Sequence, residues 1–106
     1  MERVRFEAGD DYYWTVFTKQ GEVIDVYLDA DVELMVFLLA SSELKRWEKD
    51  DEARADWSRT AAHIEKVLDP PYPGTWHVLV RNKHNRRVSV DIEIAAVRIP
   101  RSRRRR

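Results

Sequence analysis

One group of side chains in this 106-residue sequence has the composition of an acid–base site. His77, Asp91 and Glu93 fall on one face of a predicted β-hairpin, and an imidazole beside a carboxylate can transfer protons. The hydroxyls near them, on Ser89 and Thr75, belong to ordinary strand residues. We therefore interpret His77 and Asp91 as a surface ion pair, and the sequence predicts that the protein is not an enzyme.

Two pairs of aspartates offer the oxygen ligands that calcium prefers, Asp10 with Asp11 and Asp29 with Asp31. Their spacing differs from that of a dedicated calcium loop, and acidic residues are common in turns, so solvated turns are the favoured interpretation. The three histidines lack the compact spacing of zinc ligands. The sequence thus predicts neither a metal site nor a cofactor.

Aromatic side chains are the stronger binding candidates. The segments Tyr12–Thr18 and Glu22–Leu28 alternate as paired strands would, and this pairing puts Tyr13, Phe17 and Tyr27 on the face opposite the core. Exposed, such a face can stack on sugars or bind a protein; the favoured alternative is that a helical segment covers it or its neighbour strand. The candidate binding residues are Tyr13, Phe17, Tyr27, Trp47 and Trp57.

A helical segment covering the sheet is predicted from the run Val32–Leu39. This run is apolar on both faces, which indicates a strand buried on both sides. A helical insertion near residues 41–58 follows it. The serines at its start can cap a helix, and Leu44 and Trp47 fall on one side of it. Whether this insertion is one helix or two stays open.

The most regular strands lie near the C-terminus. Gly74–Arg81 and Arg87–Ile94 both alternate, and pairing Val80 with Val88 would give one wholly apolar face. With a turn at Asp29-Ala30-Asp31 and another strand over residues 61–68, the count is about seven or eight strands. The sequence predicts an all-β protein, an antiparallel, jelly-roll-like β-sandwich forming one domain over residues 1–99.

Two segments carry a family likeness. Asp29-Ala30-Asp31-Val32-Glu33-Leu34-Met35-Val36-Phe37 and Gly74-Thr75-Trp76-His77-Val78-Leu79-Val80 resemble two strands of pre-peptidase C-terminal-type domains, and small bacterial domains of unknown function share the pattern. The resemblance implies a jelly-roll-like sandwich that serves as a non-catalytic module on secreted hydrolases, in some relatives with bound calcium. The helical insertion and the lack of a secretion signal depart from that family.

Charge is distributed unevenly. Residues 1–97 hold all 19 acidic but 13 of the 19 basic residues, so they carry a net charge of −6. The tail, residues 100–106, has nothing apolar to bury and is predicted to be disordered. Its arginines are the candidate residues for non-specific binding to nucleic acid or an acidic membrane: Arg101, Arg103, Arg104, Arg105 and Arg106.

The lack of cysteine and of an apolar leader favours a cytoplasmic location. The function that these features favour is that of an interaction module, which binds a protein partner or associates with itself. A carbohydrate or other small ligand is the first alternative. Tethering to a polyanion through the arginine tail is the second.

Overall fold

The computed structural model describes residues 1–98, and these form six strands and one helix. The predicted all-β, antiparallel class is confirmed, with six strands instead of seven or eight. The strands make one open, curled sheet, and the jelly-roll arrangement stays a prediction. The elements are β1 (Glu2–Phe6), β2 (Asp11–Thr18), β3 (Glu22–Ala40), α1 (Ser41–Asp50), β4 (Trp57–Leu68), β5 (Gly74–Arg81) and β6 (Val88–Arg98).

Strand β3 organises the sheet because its two halves have different partners. Its first half pairs with β6 as far as Ala30, and its second half pairs with β5 from Met35 onwards. On its other side β3 pairs with β4 along both halves. The strand order is β1-β6-β3-β5-β2, with β4 joined to β3 outside that path.

The turn predicted at Asp29-Ala30-Asp31 is wrong, because β3 continues through it. Leu34 lies five positions after Asp29, whereas their β4 partners, Ala61 and His63, are only two positions apart. The three extra residues form an irregularity of the bulge type, which bends a strand without reversing it. One bent strand therefore replaces the two that the sequence pattern suggested, and the strand count falls.

Both predicted hairpins are also wrong. β5 pairs with β2 and β3 instead of β6, and the first half of β3 pairs with β6 and β4 instead of β2. Alternation determines which face of a strand is buried, but it carries no information about which strand lies beside it. Of the pairs in residues 1–98, only β3–β4 joins strands that are consecutive along the chain.

The inward faces of all six strands meet in one main core. The strands contribute alternate residues, as the period of two requires. Trp76 is the largest side chain of this core that is fully buried, and its indole Nε1–H donates to the Tyr72 carbonyl oxygen at 3.0 Å. The strand residues buried there include Phe6, Val16, Ile24, Leu28, Leu34, Ile64, Trp76, Val78, Val90 and Ile92.

Helix α1 lies on the opposite, outer face, where Leu44 packs on Leu39 of β3 and Leu79 of β5. The predicted covering of β3 by Leu44 and Trp47 is confirmed. The helix is shorter than the predicted 41–58, because Asp51 adopts a left-handed conformation (φ 58°) and its backbone N–H caps the Trp47 carbonyl. No helix in residues 1–98 is long and apolar enough to cross a membrane.

Candidate functional site

The outer face of β2, β5 and the second half of β3, together with α1, carries the candidate site, and we call it the helix face. On it Tyr13 lies beside Leu79, and Thr15 lies beside His77, which neighbours Leu39 in turn. Because these pairs are in register, their side chains project to the same side of the sheet. The helix face therefore joins a sheet surface, a helix and the loop 51–56 that follows it.

His77 holds three elements of the helix face together. Its Nδ1 lies 3.1 Å from the Thr15 hydroxyl on β2, and its Nε2 lies 2.9 Å from the Ser41 hydroxyl at the start of α1. Burial lowers the pKa of His77, with Glu48 acting more weakly in the opposite direction, so the ring is neutral at pH 7. One ring nitrogen then donates to a hydroxyl and the other accepts from one.

The pairing predicted between His77 and Asp91 is wrong. Asp91 of β6 accepts from Arg3 of β1 at 3.0 Å, in the other half of the sheet. The predicted serine cap is wrong as well, since α1 has no side-chain cap and the Ser41 hydroxyl bonds His77 instead. Both errors have one source, because β5 lies next to β2 and β3, which brings His77 to α1.

Ser41 and His77 have two parts of a nucleophilic site, a hydroxyl at a helix start and an imidazole within hydrogen-bond distance. The third part of such a site is a carboxylate bonded to Nδ1, which stabilises the imidazolium. Here the Thr15 hydroxyl occupies that position instead. Burial further disfavours the protonated ring that such a reaction forms. The arrangement suits a neutral structural bridge between β2, β5 and α1.

The structure separates the five aromatic candidates. Tyr13 and Phe17 lie on β2 within the helix face and are 43% and 62% exposed, and the Tyr13 ring contacts His77 edge-on at 5.9 Å. Trp47 of α1 is half-buried on the same face. The single face predicted for Tyr13, Phe17 and Tyr27 is not formed, because it required β2 to pair with β3.

Tyr27 and Trp57 lie elsewhere. Tyr27 is on the first half of β3, between Glu65 of β4 and Glu93 of β6. Trp57 is the first residue of β4 and packs against the main core, so it forms no part of the helical cover that was predicted. The guanidinium of Arg59 lies 5.6 Å from its ring centroid.

The outer face around Tyr27 is acidic. His63 lies between two carboxylates, with Nδ1 3.2 Å from Asp29 and Nε2 3.2 Å from Glu65, and these hydrogen bonds raise the pKa of His63. Partial burial, followed by the charges of Asp29, Glu65 and Asp91, raises the pKa of the Tyr27 phenol. This face lies on the other half of the sheet from the helix face.

The aspartates considered for calcium are dispersed. Asp29 and Asp31 are strand residues, paired with His63 and Arg86. Asp11 pairs with Arg81 at 3.0 Å, and Asp10 accepts from the Glu7 backbone in the turn before β2. Within residues 1–98, no group of three or more histidine or acidic side chains is arranged to hold a metal ion.

A cavity of about 510 Å³ opens beside α1, and the sequence pattern did not indicate it. Phe37, Leu39 and Leu79 line it from the sheet, and Trp47 lines it from the helix. Each of these residues is visible in the sequence as part of a strand or helix, but only the crossing of α1 over β5 brings them together. The remaining lining residues are Arg46, Asp51, Glu52, Ala53, Arg54 and Arg81.

Arg81 connects the cavity to the sheet edge. Its guanidinium is 3.0 Å from Asp11 on β2 and 3.5 Å from Asp51 at the helix end, and it lies 5.5 Å from the Trp47 ring centroid. Its side chain is only 16% exposed, so these contacts are partly shielded from solvent. Arg81 thus holds α1 and β2 against β5 at the rim of the cavity.

Among known proteins, similarity to this chain is found at the level of the fold. No protein-family model matches this sequence, and no curated protein matches it. Among solved structures, the chain is similar to Aeromonas hydrophila PliG, a periplasmic lysozyme inhibitor of g-type lysozyme, with a TM-score of 0.55 at 14% identity. The similarity covers 87% of this chain and 83% of that chain. It shows the fold alone; the resemblance to pre-peptidase C-terminal-type domains stays a prediction.

The arginine tail, predicted as a polyanion-binding segment from Arg101 to Arg106, lies outside the described residues.

Proposed function

We propose that this protein is a non-enzymatic, protein-binding module, and that the β2 part of the helix face is its contact surface. The observation that carries the proposal is the pair of exposed aromatic rings, Tyr13 and Phe17, on one strand. Aromatic residues are enriched in the energetically important centres of protein interfaces. The fold similarity to PliG, itself an inhibitor of an enzyme, supports the same class of function.

The position of the two rings favours an interface over a solvated surface. β2 ends the strand path β1-β6-β3-β5-β2, so its far edge is not paired with another strand of residues 1–98. A partner can therefore contact the rings and the strand edge together. The His77 ring contacts the Tyr13 ring edge-on at 5.9 Å, and this contact restricts the Tyr13 side chain and so reduces the entropy that binding must overcome.

The test measures binding to purified g-type lysozyme by interferometry, and self-association by light scattering, on the full chain. We expect the protein either to bind lysozyme or to associate with itself. Phe17→Thr and Tyr13→Thr should each weaken that association by about tenfold or more. Threonine keeps the strand propensity and removes the ring. The stability of each variant should stay within about 0.5 kcal/mol of the wild type if the rings act at an interface.

Val67→Thr is the matched control, because Val67 is 55% exposed on the outer face of β4, away from the helix face. It should leave the association unchanged. A protein that stays monomeric and does not bind lysozyme would contradict the proposal. So would an association that Val67→Thr weakens as much as Phe17→Thr does.

A further inference from the structure

The cavity beside α1 has the size of a small-molecule site. Ligand pockets commonly have volumes of about 300–1,000 Å³, an apolar lining and a few polar groups that orient the ligand. Here Phe37, Leu39 and Leu79 supply an apolar surface within a cavity of about 510 Å³. Leu39 and Leu79 are buried against Leu44, so this surface is held in place by the helix packing.

The charged residues that line the cavity are three arginines and two acidic residues, Asp51 and Glu52, an excess of one positive charge that favours an anion. Arg46 lies 3.6 Å from Glu43, a single contact that leaves most of its donors available. Arg54 uses its backbone N–H to bond Glu43, and no ion pair or hydrogen bond of its guanidinium occurs within residues 1–98. Arg81 is held by Asp11 and Asp51. Two guanidinium groups are therefore available beside an apolar surface.

Trp47 lines the same cavity and carries a buried polar group without a partner in residues 1–98. Its indole Nε1 is buried and has no hydrogen-bond partner in the described part of the chain. Native proteins pair most buried polar groups, and leaving one unpaired is costly. The indole N–H of Trp76, in contrast, is paired with Tyr72. The nitrogen has no surface open to the cavity in this conformation, so an acceptor would reach it only after the Trp47 ring had moved.

We propose that this cavity binds a small organic carboxylate that carries an aromatic or aliphatic body. The body lies on Phe37, Leu39 and Leu79, and the carboxylate lies against Arg46 and Arg54. The Trp47 side chain, which lines the cavity, lies beside the ligand. The site is independent of the protein-binding surface proposed for β2, so either can exist without the other.

The test titrates the full chain with phenylpropionate and follows the indole N–H resonances by NMR. We expect a dissociation constant of about 1 mM, as suits a ligand with few atoms. The Trp47 resonance, assigned by its loss in Trp47→Phe, should shift on binding. Those of Trp76 and Trp14, whose N–H groups already bond Tyr72 and Glu2, should stay in place.

The chemistry is tested with two analogues of the same shape. Phenylpropanol lacks the charge and phenylpropylamine reverses it, so both should bind at least about tenfold more weakly. Arg54→Gln should weaken phenylpropionate binding by a similar factor. Arg59→Gln, which makes the same charge change beside Trp57, should leave it unchanged.

Three results would overturn the proposal. The first is a Trp47 resonance that phenylpropionate does not move. The second is equal binding of the carboxylate and the amine, which would indicate a purely apolar contact. The third is an equal effect of Arg54→Gln and Arg59→Gln, which would indicate a general attraction of the anion to the basic side chains.

Discussion

Two histidines of this protein have pKa values shifted in opposite directions, and the cause is their surroundings. His77 is buried between two hydroxyls, which lowers its pKa below the usual 6.5. His63 lies between two carboxylates, which raises its pKa above that value. Each shift makes the free energy of unfolding depend on pH, and the two dependences have opposite signs.

The sign for each residue follows from which state binds more protons. Below pH 6.5 an unfolded chain protonates His77 more readily than the folded chain does, so the contribution of His77 is lost as the pH falls towards its lowered pKa. His63 contributes fully below pH 6.5 and loses that contribution as the pH rises through its raised pKa.

We predict that His77→Gln and His63→Gln change the pH dependence of stability in opposite ways. Urea unfolding between pH 5.5 and pH 8 measures it, a window in which most carboxylates stay ionised. The destabilisation caused by His77→Gln should be smallest at the acidic end, and that caused by His63→Gln should be smallest at the alkaline end. Parallel changes in the two variants would contradict these pKa directions.

At the scale of elements, α1 depends on one buried residue. Its sequence is polar on most positions, and an isolated ten-residue helix is marginal in water, so its stability comes from packing on the sheet. Leu44 is the buried residue of the helix and packs on Leu39 and Leu79. The same packing forms one side of the cavity.

We predict that Leu44→Ala lowers the free energy of unfolding by about 2–4 kcal/mol, as expected for a buried leucine in contact with two others. Lys45→Ala is the control, because Lys45 is the next residue on the exposed side and its removal should cost less than about 0.5 kcal/mol. Urea unfolding gives both values. Equal effects would show that α1 is not anchored through Leu44.

The sequence predicts where the strands and the helix lie along the chain better than it predicts which strands pair in the sheet. Alternation correctly indicated strands near β2, β5 and β6, and the doubly apolar run of β3 correctly indicated a covering helix with Leu44 and Trp47 inward. Pairing was wrong because several strands have equivalent apolar faces, and short loops favoured hairpins that the fold does not use. The cavity and the His77 bridge depend on that pairing, so no local pattern could indicate them.

At the scale of the whole molecule, the first and last strands of residues 1–98, β1 and β6, pair with each other in the sheet. Arg3 of β1 pairs with Asp91 of β6, 88 residues away along the chain, while β3 and β4 are separated only by α1 and a short loop. Across β1 and β2, Phe6 contacts Tyr12 edge-on at 4.8 Å, and the Trp14 indole donates to Glu2. Non-local pairing of this kind slows folding, because loop closure must precede the contacts that compensate for it.

Leu28 of β3 offers a direct comparison of local and non-local pairing. It lies between Ile64 of β4 on one side and Ile92 of β6 on the other, and both isoleucines are fully buried. We predict that β3 and β4 form in the folding transition state and that β6 joins later. Ile64→Val should then mainly slow folding, and Ile92→Val should mainly accelerate unfolding.

The two variants are matched in chemistry, since each removes one methyl group at the cost of about 0.5–1.5 kcal/mol. Stopped-flow folding and unfolding across urea concentrations separates the two rates for each variant. The order of assembly is contradicted if Ile92→Val slows folding as much as Ile64→Val does. In that case β6 would already be paired with β3 in the transition state, so the pairing across the longer sequence separation would form as early as the pairing of β3 with β4.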